Sequence, residues 1–225
     1  SHSSYLKPAV IMKYTRLLIL SVVAFIALSW FSLSPGEKKE TPRSQSSPHA
    51  SAASPTSINM AKLEQKAADA RKFVRQKGFN ENVCFLIDMT PSSGQNRFFI
   101  YDLKADTVQS AGLVAHGNCF EYWLEGRRYS NVVGSGCTSL GKYKIGAPYV
   151  GKWGYSYKLH GLDSTNNNAF ERTVVLHGHS CVAESEIPDE ICQSNGCSTV
   201  NPKFLLRLKN IINGSAKPVL LWIFE

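Results

Sequence analysis

The sequence lacks internal repeats, long low-complexity tracts and any basic stripe interleaved with aromatic residues. Their absence excludes solenoids and propellers, collagen-like and coiled-coil chains, and the common nucleic-acid modules. Charge of one sign is not concentrated either. The 225 residues carry 25 Lys/Arg and 17 Asp/Glu, a formal charge of +8. Residues 1–57 contribute six and two of these, and the remainder contributes nineteen and fifteen, so each part holds a net +4. Spread over the longer part, that excess is ordinary for a domain and suits an anionic polymer only mildly, so no nucleic-acid partner is expected. A hydrophobic fraction of 43%, with four Trp, nine Tyr and eleven Phe, is too apolar for a disordered chain and sufficient for one packed core.

Long uncharged apolar stretches are scarce, and the main one lies near the N-terminus. Residues 1–11 show no periodic pattern and read as a tag or upstream scar. From Met12 the chain runs Lys13, Tyr14, Thr15, Arg16 and then Leu17–Leu33 without a charge. A basic start followed by a short apolar run is the pattern of a signal peptide or signal anchor, here 12–33. Seventeen residues at about 1.5 Å each reach roughly 25 Å, just short of the ~30 Å hydrocarbon core. No clear small-x-small cleavage site follows, so an uncleaved anchor is preferred to a cleaved peptide. Lys7, Lys13 and Arg16 before the run favour an exported C-terminal part. Residues 34–57 hold Pro35, Pro42, Pro48 and Pro55 among Ser, Ala, Thr and charges, the composition of a disordered linker. The bulk of the chain is expected to work outside the cytoplasmic membrane.

Residues 58–225 read as one mainly β domain. Met60–Gln76 places Met60, Leu63, Ala67, Ala70 and Val74 on one helical stripe that ends at Gly78. Pro202–Ile212 is a second amphipathic helix, with Pro at its start and Gly214 beyond its end. Strands are expected at Val83–Met89, Arg97–Leu103, Val108–Ala115, Lys142–Ile145, Tyr155–Leu159, Thr173–His177 and Val219–Phe224. The Pro91–Gln95 turn makes a hairpin of the first two. Many strands with two peripheral helices imply a β-sandwich or partly open barrel.

Six cysteines in an exported chain suggest disulfides, and Cys181–Cys192 and Cys119–Cys137 are candidate pairs, although a domain of this size has core enough without them. Cys84, in an apolar strand, reads as a small buried hydrophobe. The informative segment is His177–Val200, HGHSCVAESEIPDEICQSNGCSTV, and it admits three readings. In the first, Cys197 is a nucleophile: Gly196 before it lets successive N–H groups converge on an oxyanion, and an upstream His takes the thiol proton to give a thiolate–imidazolium pair. In the second, His177, His179 and Cys181 alternate along a strand as zinc ligands, with Cys192 or Cys197 as the fourth. In the third, the histidines are hydrogen-bonded strand-edge residues and the cysteines are packing.

His177-Gly178 followed by Ser194-x-Gly196-Cys197 resembles the signature of the L,D-transpeptidase (YkuD-type) catalytic domain. Phe98–Gly117, Tyr129–Gly146, Tyr149–Asp163, Asn166–Gly178 and Ser194–Ile212 are similar, in the same order, to blocks of its divergent murein L,D-transpeptidase branch. The resemblance covers the chain from about Ile58 to its end. It implies a β-rich L,D-transpeptidase-like fold with Cys197 as nucleophile and His177 as base. The carbonyl of Gly178 would orient the imidazole, and backbone N–H groups of Gly196, Cys197 and Asn195 would form the oxyanion hole. Ser194, Tyr149, Trp153 and Tyr155 become candidate substrate contacts, with strand packing the competing reading for the aromatic residues and an equal one for Tyr155. The implied reaction is an attack on the diaminopimelate–D-Ala bond of a peptidoglycan tetrapeptide stem, through a thioester, with transfer to an amine acceptor and no cofactor or metal. Alternatives are L,D-carboxypeptidase hydrolysis at the same site and a wall-binding module without turnover. Most members carry Arg or Asn two residues after the cysteine, where this chain has Thr199. His179 and His160 are expected to be structural, His116 is given no role, and Glu184 and Glu186 read as a solvated acidic loop.

Overall fold

The computed structural model describes residues 59–225. The expected tag, signal anchor and linker lie outside the described residues. Among the described residues no helix is long and apolar enough to cross a membrane.

Helix α1, Met60–Lys77, begins where the Asn59 side chain accepts from the N–H of Lys62 at 3.0 Å. It ends at Gly78, whose left-handed φ of 72° lets the chain turn out of the helix. Its stripe of Leu63, Ala67, Ala70 and Val74 is buried, as the apolar spacing expected. Eight strands follow: β1 Val83–Asp88, β2 Phe98–Asp102, β3 Thr107–Gly112, β4 Gly141–Gly151, β5 Gly154–Gly161, β6 Val175–Gly178, β7 Ser198–Val200 and β8 Leu220–Phe224. Helix α2, Pro202–Asn213, lies between the last two. Asn201 caps it by accepting from the Lys203 N–H at 2.9 Å, and Pro202 occupies its first turn.

The strands form one sheet in the order β3-β2-β1-β8-β4-β5-β6-β7. Only the β1–β8 and β6–β7 pairs are parallel; the others are antiparallel. Alternation along β1 explains its uniform burial. Phe85 and Ile87 enter the main core beneath α2, while Cys84 and Leu86 enter a second core beneath α1. Cys84 is thus the buried hydrophobe that its strand context suggested. The mainly β expectation holds, with the strands in one open sheet whose two ends approach each other. Past β3, Val114 bridges Val200 of β7, and the Ala115 N–H donates to the Thr199 carbonyl at 2.9 Å. This partial closure gives the short edge strand β7 a neighbour on both sides.

A buried cation fastens that closure. The Arg97 guanidinium, fully buried, donates to the Val114 carbonyl from Nε at 3.0 Å and from Nη2 at 2.7 Å. It also contacts His116 Nδ1 at 3.1 Å, and burial together with this guanidinium pulls the imidazole down to about 4. Three observed boundaries differ from expectation. β4 and β5 extend into a long hairpin arm past Ile145, and β3 stops at Gly112. The three-residue β7 lies where no strand was expected.

Leu176 is fully buried between the strands that carry the site. Leu176→Ala should cost about 2–5 kcal/mol in a urea unfolding curve; a loss below about 1 kcal/mol would show that β6 is not part of the main core.

Candidate active site

Strand β6 supplies His177 and its parallel partner β7 supplies Thr199, directly opposite in register. Cys197 stands one residue before β7, on the same strand face as Thr199 because side chains alternate. The turn leading to it is organised by Ser194. The Ser194 N–H donates to the His116 carbonyl at 2.8 Å, and the Ser194 carbonyl accepts from Asn118 N–H at 2.7 Å. The Ser194 hydroxyl donates to the Cys197 carbonyl at 2.8 Å and accepts from the Gly196 N–H at 3.1 Å. Gly196 has φ of 98°, and a Cβ there would stand 2.6 Å from the Cys137 carbonyl oxygen, so both conformation and space demand glycine.

Cys197 is a free thiol, partly exposed, and it lines an open cleft together with His177, Trp153, Asn195 and Thr199. Its Sγ is 4.0 Å from the Thr173 carbonyl. Thr173 is a β-branched residue at φ 55°, a strained conformation beside the site. Burial raises the Cys197 thiol above its ordinary value, partly offset by the Val175 N–H and the Arg172 guanidinium. The His177 ring is nearly buried and stacks on Trp153 with centroids 5.5 Å apart and planes 20° off parallel. Its Nδ1 is 3.2 Å from the Gly178 carbonyl and its Nε2 is 2.9 Å from Thr199 Oγ1. Burial lowers its pKa, with a smaller opposing effect from the Gly178 carbonyl. Both directions favour neutral resting forms, against the thiolate–imidazolium pair expected from the residue types.

A family model described as the L,D-transpeptidase catalytic domain matches residues 54–223. The chain belongs to that family. Two solved structures are similar to it at low identity. An L,D-transpeptidase from Mycobacterium smegmatis is 10% identical with a TM-score of 0.39, over 64% of this chain and 59% of that one. The helical cell shape determining protein Pgp2 from Campylobacter jejuni is 10% identical with a TM-score of 0.42, over 72% and 55%. This chain therefore spans less than two thirds of either structure. No curated protein matches it.

Within this L,D-transpeptidase domain the structure brings Cys197, His177, Gly178, Asn195, Ser194 and Trp153 together. Two expected substrate contacts fall elsewhere. Tyr155 packs edge-on against Tyr157, carries Lys209 4.1 Å above its ring, and bonds Asn213 through its hydroxyl at 3.1 Å. It shares the inward face of β5 with core residues, so it serves packing against α2. Tyr149 lies on the hairpin arm near Lys158, outside the cleft lining. Of the expected oxyanion donors, Gly196 N–H already has Ser194 Oγ as acceptor. Cys119–Cys137 and Cys181–Cys192 are disulfides. The second removes two thiolates from the zinc reading. It also ties down the 179–193 loop, where Val182 and Ile191 pack on Leu113 and Ala115. Glu184 and Glu186 are exposed, as a solvated acidic loop places them, with Glu184 pairing with Lys203 and Glu186 accepting from the Asn96 N–H. His160 stacks on Phe170, and His179 accepts from the Cys181 N–H.

Three residues escaped sequence reasoning. Arg172 donates from Nη1 to the Ser130 carbonyl at 2.8 Å and from Nη2 to the Cys137 carbonyl at 2.5 Å, placing a cation beneath the Gly196–Cys197 turn. Gln193 bonds the Leu124 backbone in both directions, and the His116 carbonyl holds Ser194. The first belongs to a block similar to the family, which was its only signal; the other two act through backbone contacts that no residue pattern announces.

Alkylation by iodoacetamide should modify Cys197 and spare Cys84, whose thiol burial pushes up to about 12. The Cys197 rate should rise with pH through a midpoint above the usual thiol value of about 8.5. A midpoint below about 7 would mean that the thiol is ionised at rest.

Proposed function

We propose that this domain is an exported cysteine acyltransferase, held to the bacterial inner membrane by residues 12–33, that cross-links peptidoglycan stem peptides. The observation that carries this reading is the free, reachable Cys197 thiol sharing one cleft with an imidazole oriented by the Gly178 carbonyl. Nucleophile, base and orienting acceptor is the arrangement that activated-thiol catalysis requires.

The chemistry begins from neutral partners. As Cys197 Sγ attacks the carbonyl of the diaminopimelate–D-Ala bond, its proton passes to His177 Nε2. The tetrahedral oxyanion is received by backbone N–H groups of Asn195, Gly196 and Cys197, the Gly196 donor exchanging its Ser194 acceptor for the substrate. The imidazolium then protonates the departing nitrogen. The C–N bond breaks, D-Ala leaves and a thioester remains. An acceptor amine on a second stem attacks this thioester as His177 takes its proton; the C–S bond breaks and the imidazolium returns that proton to the leaving sulfur, restoring the thiol. Arg172 supports the charge that develops on sulfur. The cleft's small residues and Trp153 suit an extended peptide stem better than a bulky fold. No step calls for a metal or an organic cofactor.

Incubation with a tetrapeptide-stem muropeptide, followed by mass analysis, tests this directly. Dimers with release of D-Ala are expected. A stem shortened by one D-Ala would make the domain an L,D-carboxypeptidase, and unchanged masses would contradict both. Cys197→Ala should abolish turnover while retaining wall binding. Because a protonated ring cannot accept the thiol proton and burial lowers its pKa, the rate should fall only as pH drops through a midpoint below about 6.5. An acid limb centred above that value would contradict His177 as the base.

A further inference from the structure

The mechanism above uses a thiol, an imidazole and a carbonyl, and leaves unassigned a hydroxyl that touches the base. Thr199 is 4% exposed, and its Oγ1 stands 2.9 Å from His177 Nε2. The donor in that contact follows from the other side of the ring. The Gly178 carbonyl can only accept, so Nδ1 carries the ring proton. In the neutral imidazole Nε2 is then the lone-pair nitrogen, and Thr199 must donate its O–H to it. The lone pair that should take the Cys197 proton is therefore held at rest by Thr199.

Register explains why this residue can do so. His177 and Thr199 are opposite one another across the parallel β6–β7 pair. Cys197 lies two positions earlier on the same face of the β7 chain. A donor at Thr199 thus draws Nε2 toward the strand that bears the sulfur and keeps Nδ1 turned to Gly178. Trp153, stacked on the ring, leaves little freedom for a flip. Burial of Thr199 itself argues against a casual surface contact, since the fold has enclosed a hydroxyl whose partner here is the base.

The geometry points to Thr199 as a positioning residue for the base: its hydroxyl, opposite the Gly178 carbonyl, reinforces the Nδ1–H tautomer of His177 and aims Nε2 along the face of β7 that carries Cys197. This assignment rests on the reading of His177 as the base. In the catalytic cycle the hydroxyl yields the lone pair to the thiol as substrate enters, and recovers it afterwards. No bond to carbon forms at Thr199. The groups around the ring are His179 on the same segment, Cys197 and Thr199 from the opposite strand, and the uncharged Trp153 from the hairpin arm. Among the described residues no carboxylate lines the cleft. A hydrogen bond given to the neutral ring favours that form, so its loss shifts protonation toward higher pH.

Thr199→Val keeps the shape and removes the donor, while Thr199→Ser keeps the donor and removes the methyl. Long-range proton–nitrogen NMR spectra of His177 in the full chain read the tautomer without any substrate. Wild-type protein should show a single Nδ1–H tautomer. In T199V the Nδ1–H form keeps only the Gly178 carbonyl, so a share of the Nε2–H tautomer should appear and the His177 titration midpoint should rise. With muropeptide, T199V should lose about tenfold or more in kcat with KM changed less than about twofold. T199S should restore both the spectrum and kcat. An Nε2–H tautomer in wild type overturns the proposal even if T199V does not fold. Wild-type kcat in T199V overturns it as well, and so does T199S being as impaired as T199V, which would make the methyl the important part. If wild type forms no muropeptide product while the tautomer results hold, the function reading falls and the positioning of His177 by Thr199 stands.

Discussion

The parallel pairing of β6 with β7 is the constraint from which the rest of the site follows. A parallel pair cannot be closed by a tight turn, so a long connection must run from the end of β6 back to the start of β7. Here that connection is the 179–197 segment, and it delivers the Cys197 thiol at its far end. Register then fixes which groups meet: His177 faces Thr199, and Cys197 precedes it on the same side. A slip by one residue would turn both functional side chains to the opposite face. The short β7 would be poorly held alone. Val114 bridges it from the other side, and Arg97 anchors Val114 from within the core.

Stability and chemistry are joined at the same places. The Ser194 turn is set by the backbone at His116 and Asn118, and the Cys119–Cys137 disulfide follows directly. Its Cys137 carbonyl fills the space beside Gly196 and accepts from Arg172. The cation that helps a thiolate form is thus held by the wall that forces the glycine conformation. Burial works against ionisation of both Cys197 and His177, so a neutral pair awaits substrate and unproductive reactions of a standing thiolate are limited.

Much of this was legible from residue patterns. The helical stripe of α1, the capped Pro202 helix and seven of the strands carry strong local signals of period and propensity. Cys197, His177 and Gly178 were singled out by a motif whose spacing is set by the β6–β7 crossover, which brings the thiol and the imidazole to one cleft. β7 was not, because three residues of mixed polarity show no period, and their strand state comes from pairing on both sides. Tyr155 stayed open between cleft and core for a related reason: β5 alternation places it with Tyr157 on the core face, and a glycine-punctuated segment hides that alternation. Thr199 was noticed only as a departure from the usual family residue, since its contact with His177 exists only once the strands are paired. Arg172, fixed by carbonyls from a distant loop, carries no local pattern at all.

The central claim is that Cys197 forms a covalent acyl-enzyme with a stem peptide. Intact-mass analysis of the domain mixed with a tetrapeptide-stem donor, in the absence of an acceptor amine, tests it most directly. The account predicts an added mass equal to the donor less D-Ala, mapped to the peptide containing Cys197 and absent in Cys197→Ala. Turnover of the donor with an adduct on another residue, or in the Cys197→Ala protein, would contradict it.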